Sequence, residues 1–123
     1  MPDETGALHI DLADGRVLEA FSAGPDRGMP LVFQNGTPTA AVLFPPLVEV
    51  AAARGLRTVT YSRPGYAGST PQPGRAVSDA AADVGELMDS IGAATFITIG
   101  WSGGGPHALA CAALLGDRCA AAV

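Results

Sequence analysis

Positive charge is scarce in this chain. Seven Lys and Arg stand against twelve Asp and Glu across 123 residues, for a formal net charge of −5. That balance argues against nucleic acid or an anionic membrane surface as a partner. Long apolar runs are also missing, and none reaches the roughly 18 to 20 residues of a bilayer span. The start, Met1-Pro2-Asp3-Glu4, is acidic and lacks the apolar core of a secretion signal. Cysteine is rare. Cys111 and Cys119 match no metal spacing and read as small core residues kept reduced, which leads us to expect a cytoplasmic location. Internal repeats and a second domain are absent too. What is present is apolar: 48% of residues are hydrophobic and 15% charged, the balance of one small globular domain with a core of its own.

Periodicity divides the chain into elements. Residues 7–13 alternate with Leu8, Ile10 and Leu12 on one face, Asp14-Gly15 signals a hairpin turn, and 16–22 reads as the returning strand. His9 lies on the opposite face and reads as an exposed strand histidine. A short apolar strand at 31–35 runs into Asn35-Gly36-Thr37-Pro38. A helix over 45–54 follows, with Pro45 and Pro46 in its first turn and Gly55 closing it. The strand at 56–61 leads into a Gly- and Pro-rich loop, Ser62-Arg63-Pro64-Gly65-Tyr66-Ala67-Gly68-Ser69. The helix at 78–91 gathers Ala81, Val84, Leu87, Met88 and Ile91 on one face, leaving Asp79, Asp83, Glu86 and Asp89 as an expected solvated face. A strand at 95–99 and a helix at 103–115 come next, then an apolar start of another strand at 119–123. An antiparallel hairpin followed by β-α-β-α-β-α implies an α/β fold, a mostly parallel sheet with helices on both faces.

The stretch from Thr95 to Leu115 carries the chemistry. It joins a strand to a helix through Gly100-Trp101-Ser102-Gly103-Gly104, which fits the nucleophile-elbow pattern G-x-S-x-G. A serine that must attack a carbonyl has to project from a sharp turn. Strand and helix then pass so closely that small residues are needed two places before and after it, here Gly100 and Gly104. The first amides of the helix face the space before Ser102, where a helix N-terminus favours negative charge.

With these residues the chain resembles the α/β-hydrolase superfamily, in particular its proline-iminopeptidase-like and esterase-like branch. Three motifs carry the resemblance over nearly the whole chain: GWSGGGPHA at Gly100 to Ala108, Asn35-Gly36-Thr37-Pro38 where the family usually has His-Gly-x-Pro, and Ser62 to Ser69, similar to the family's Asp-x-x-Gly-x-Gly-x-Ser. The resemblance implies hydrolysis of an ester or amide of a small substrate through an acyl-Ser102 intermediate. It gives the backbone amides of Gly103 and Thr37 the role of oxyanion donors, supported by Asn35, Gly36 and Trp101. No metal or organic cofactor is implied. Three departures stand out. Asn35 replaces a histidine, Ser62 replaces an aspartate and so should weaken the tie to the neighbouring loop, and Ala67 replaces a glycine, which matters if that position needs a positive φ.

The family's triad runs Ser, then Asp or Glu, then His along the chain. After Ser102 stand only His107 and Asp117. His107, five residues on in the same helix, is badly placed as a base and reads as helix packing or pocket lining; Asp117 reads as a turn residue. The chain therefore reads as the N-terminal half of a hydrolase, inactive alone, whether a gene fragment, a truncated reading frame or one half of a split protein. Its open sheet edge is expected to invite self-association or a partner chain. Two other readings stay open: a non-catalytic hydrolase-like module that binds a ligand or partner, and a nucleotide site at Gly103-x-Gly105-x-x-Ala108, a loose match to G-x-G-x-x-A. A phosphate-binding P-loop fails, since no Lys-Ser or Lys-Thr follows the glycines.

Overall fold

The early alternation and the later β-α rhythm become two parts of one six-stranded sheet. The computed structural model describes residues 4–123, so Met1, Pro2 and Asp3 of the acidic start lie outside it. The elements are β1 (Leu8–Asp11), β2 (Val17–Ala23), β3 (Met29–Gln34), α1 (Pro45–Ala53), β4 (Leu56–Tyr61), α2 (Asp79–Ser90), β5 (Phe96–Gly100), α3 (Gly105–Leu114) and β6 (Cys119–Ala122). Their order across the sheet is β1-β2-β4-β3-β5-β6. β1 pairs antiparallel with β2, and β2 antiparallel with β4. From β4 across to β6 every pair is parallel. This is the expected α/β architecture, with the hairpin at one edge.

Crossover handedness explains where the helices go. From β3 the chain steps through α1 to β4 on one side, then through α2 to β5 on the other side of β3. Right-handed crossovers in opposite directions must put α1 and α2 on opposite faces. On the α2 face, Val32, Val59, Tyr61 and Phe96 meet Val84, Leu87 and Met88 of α2 and Cys111 of α3 in the main core. On the other face, Phe33 and Ile99 look toward Phe44, Leu47 and Val50 of the α1 region. β4 is covered on both faces, and Thr58, Val59, Thr60 and Tyr61 are all buried. Local signals act as their chemistry requires: Pro45 opens α1, and Gly55 follows it at φ +75°.

The expected solvated acidic face fails at Asp83, which is 1% exposed. Its carboxylate accepts a forked pair of bonds from Arg16, Nη2 to Oδ1 at 2.7 Å and Nη1 to Oδ2 at 3.1 Å. The neighbouring Glu86 accepts from the Ala13 amide at 2.7 Å. The hairpin turn is folded down onto α2, a contact between segments 67 residues apart that helical periodicity cannot register. Asp79 and Asp89 stay exposed.

Asp83→Ala would leave the Arg16 guanidinium largely buried, with only the exposed Asp14 carboxylate as a partner. Breaking a buried pair from one side should lower unfolding stability by about 3 kcal/mol, measured by urea denaturation. A loss below about 0.5 kcal/mol would show that the pair contributes little.

Candidate active site

β5 ends at Gly100, Trp101 remains extended (φ −109°, ψ 123°), and Ser102 turns to φ +53° at the start of a 3-10 turn, Ser102–Gly104, that leads into α3. A non-glycine residue in this left-handed region costs on the order of 1–2 kcal/mol, so the surroundings must impose it. They do so by proximity. A Cβ on Gly100 would lie 2.5 Å from the Gly104 carbonyl oxygen. A Cβ on Gly104 would fall onto the carbonyl oxygen of Gln34. Both glycines are required by close approach, and Ser102 is left exposed on the outside of the turn.

The loop after β3 faces this turn. β3 and β5 are adjacent parallel strands with Gln34 opposite Gly100, and the Trp101 amide carries the ladder one step further by donating to Gln34 O at 3.1 Å. A Cβ on Gly36 would sit 3.1 Å from Trp101 Cδ1 and 3.6 Å from Ser102 Cβ. A Cβ on Gly103 would sit 3.2 Å from the Thr37 backbone nitrogen and 2.5 Å from Thr37 Oγ1. Segments 65 residues apart by number, at Thr37 and Ser102, are thus brought side by side. They meet at the carboxyl ends of β3 and β5, where the crossovers from β3 to β4 and from β4 to β5 run in opposite directions across the sheet. Such reversal points are where open α/β sheets bind ligands. A polar hollow lined by Asp26, Arg27, Arg57 and Gly92 opens at the other end of the sheet and takes no part in this arrangement.

A buried polar layer supports both loops. Tyr61 donates to Gln34 Oε1 at 2.7 Å, and Asn35 Nδ2 donates to Thr60 Oγ1 at 2.7 Å. Asn35 therefore ties its own loop to β4. Ser62, where the family usually has an aspartate, still ties to the neighbouring loop. Ser62 Oγ accepts from the Ala41 amide at 2.9 Å and donates to Glu19 Oε1 at 2.8 Å, so β2 provides a carboxylate behind the hydroxyl. Ala67 has φ +42°, so its methyl group is strained where a glycine would be at ease. Arg63 donates to Asn35 O at 2.5 Å and to Thr37 Oγ1 at 3.1 Å. Nothing in its spacing signals this. Only the return of the β4 loop beside the β3 loop creates the contact.

The family model for the alpha/beta hydrolase fold matches residues 29–123. The chain belongs to that family. Among solved structures it is similar to an alpha/beta hydrolase fold protein from Nakamurella multipartita, with 30% identity, TM-score 0.80, and 94% of this chain and 39% of that one covered. It is also similar to epoxide hydrolase A from Mycobacterium thermoresistibile, with 25% identity, TM-score 0.81, and coverage of 99% and 38%. The enol-lactonase from Burkholderia xenovorans LB400 shares the fold, with 24% identity, TM-score 0.80, and coverage of 91% and 44%. The chain thus spans about two fifths of the length of these proteins. A search of curated proteins found no match. Among the described residues, no helix is long and apolar enough to cross a membrane.

Neither histidine of this hydrolase-fold chain meets Ser102 through a hydrogen bond. His9 lies on β1 at the far edge of the sheet. His107, 6% exposed on α3, places Nδ1 2.7 Å from the Gly103 carbonyl oxygen, and its Nε2 is buried without a partner. Bonding to a carbonyl assigns the proton to Nδ1. Burial lowers the pKa of the ring below its ordinary 6.5, the carbonyl contact opposing that shift only in part. Asp117 is exposed in the turn Gly116–Arg118. Trp101 is 70% exposed, which rules out a core role, and it walls an apolar hollow with Phe33, Phe44, Leu47, Val50 and Ile99.

Two outcomes follow from this geometry. Gly104→Ala drives a methyl group into the Gln34 carbonyl and should cost more than about 3 kcal/mol by chemical denaturation, since neither backbone can yield easily. His107 has a depressed folded pKa, so the unfolded chain binds more protons as pH falls below 6.5. Its contribution should be fully present above pH 6.5 and be lost as pH falls through the folded value. His107→Gln should flatten that part of the stability profile relative to the parent; an unchanged slope would assign it to other groups.

Proposed function

We propose that this chain bears the nucleophile and both oxyanion donors of a serine hydrolase acting on an ester or amide of a small substrate. One observation carries the reading: Ser102 sits exposed at φ +53° while the Thr37 and Gly103 backbones face each other beside it. In the proposed reaction Ser102 Oγ attacks the substrate carbonyl carbon and its proton passes to a general base. The resulting oxyanion is held by the Thr37 and Gly103 N–H groups. Losing one such donor typically costs about 2.7–4 kcal/mol of transition-state stabilisation. Collapse expels the alcohol or amine, which takes the proton from the base, and water then releases the acid from acyl-Ser102. The names of the similar proteins, a lactonase and an epoxide hydrolase, support hydrolysis in general. We extend the reading to a cytoplasmic location, in keeping with two free thiols, and to β6 as the edge at which a second chain would pair.

A second reading, a non-catalytic module that binds a ligand, is favoured by one fact. Among the described residues, no side chain hydrogen-bonds Ser102 Oγ, so no base is in place to activate it. A serine-directed fluorophosphonate separates the two. Covalent labelling of Ser102, detected by peptide mass spectrometry and abolished in Ser102→Ala, is the outcome expected of the hydrolase. Absence of labelling in the parent chain even with imidazole added as an external base would favour the binding module.

A further inference from the structure

We propose that Arg63 is a positioning residue for the loop bearing the Thr37 amide, and that its guanidinium, unneutralised by any carboxylate among the described residues, adds positive potential where an oxyanion would form. The second half rests on the acyl-Ser102 reading; the first does not. Arg63 directly follows the two buried residues Tyr61 and Ser62 at the end of β4 and is itself 3% exposed. Its two Nη atoms reach Asn35 O and Thr37 Oγ1, so one planar fork spans the peptides on both sides of Gly36. Thr37 Oγ1 in turn lies 2.5 Å from where a Gly103 side chain would begin. The fork therefore fixes the loop at the point where it meets the serine turn. Ser62, one residue earlier, holds the far end of the same loop through the Ala41 amide.

Among the described residues, Arg16 and Arg118 form ion pairs, while Arg63 has no Asp or Glu oxygen within salt-bridge distance. A buried cation without a counter-charge is costly, and burial lowers the pKa of this one. Two carbonyl- or hydroxyl-directed bonds could be made by a neutral amide at less expense. A charge kept here is useful if a negative charge appears nearby during turnover, because a buried guanidinium is itself little screened by water.

The test uses the full 123-residue chain with Arg63→Met and Arg63→Lys. Two quantities are read: amide hydrogen exchange over residues 35–41, and fluorophosphonate labelling of Ser102 resolved into its first-order constant and half-saturating concentration. In Arg63→Met, exchange at residues 35–41 should rise about tenfold with α2 unchanged. The first-order constant should fall about 100-fold at unchanged half-saturation. Arg63→Lys should recover part of that rate at low pH and lose it as pH rises, because a buried ammonium can be brought into the working pH range while a guanidinium stays charged throughout it. Parent-like exchange in Arg63→Met overturns the positioning role. Equal impairment of the Lys and Met variants at every pH overturns the electrostatic role. If the parent itself is not labelled even with imidazole added as an external base, the acyl-Ser102 reading and the electrostatic role fail together, and exchange alone decides positioning. Should Arg63→Met not fold, Thr37→Val removes the acceptor hydroxyl and keeps the amide; faster exchange at residues 35–41 supports the positioning role, and unchanged exchange overturns it.

Discussion

The structure depends on one close approach, where the first turn of α3 passes over the carbonyl end of β3 with no room for a side chain. Gly104 lies against the Gln34 carbonyl, and Gly100 lies against Gly104. Were either pair farther apart, Trp101 could not extend the β3–β5 ladder to Gln34 O, and Ser102 would relax out of φ +53°. The strain at one residue is held by packing at three others, as expected when a fold fixes a side chain at a functional position. The same approach brings the loop at residues 35–37 against the turn, so the geometry of the candidate site and the packing of the core share a cause.

Around that contact the protein uses polar groups where most cores use apolar ones. Gln34, Asn35, Thr60, Thr98, Ser62 and Arg63 are all buried, and each has a hydrogen-bond partner. Buried polar networks that are fully satisfied rigidify the elements that carry them. The layer lies directly beneath the two loops and spans β3, β4 and β5. Glu19 extends it to β2, giving the antiparallel hairpin a share in holding the β3 loop.

Sequence pattern exposed whatever is local. Strands, helices and their stops are written in short-range alternation, in Pro45 and in Gly55, and the G-x-S-x-G spacing located the sharp turn because steric demands within five residues are self-contained. Pairing Ser102 with Thr37 came from the family resemblance; the sheet order then showed why the two meet. Long-range polar contacts left no mark in the sequence. Asp83 looked like any acid on an exposed helix face until the hairpin brought Arg16 to it. Arg63 and Glu19 carry no local pattern that marks them out, and their partners are brought to them by the fold. Each gained its role from a segment at least 26 residues away.

The order of the strands also sets a clock. β3 finds its partner β5 only across an interval such as the 66 residues between Val32 and Thr98, with β4 and two helices made in between. At about 5–20 residues per second, a ribosome takes roughly 3 to 13 seconds to cover that distance. During that time β3 can pair with β4 on one side only, leaving Leu31 to Gln34 open along the other. Synthesis from the N-terminus therefore builds the hairpin, β4 and β3 first, and the serine turn closes over a strand end that has been waiting for it.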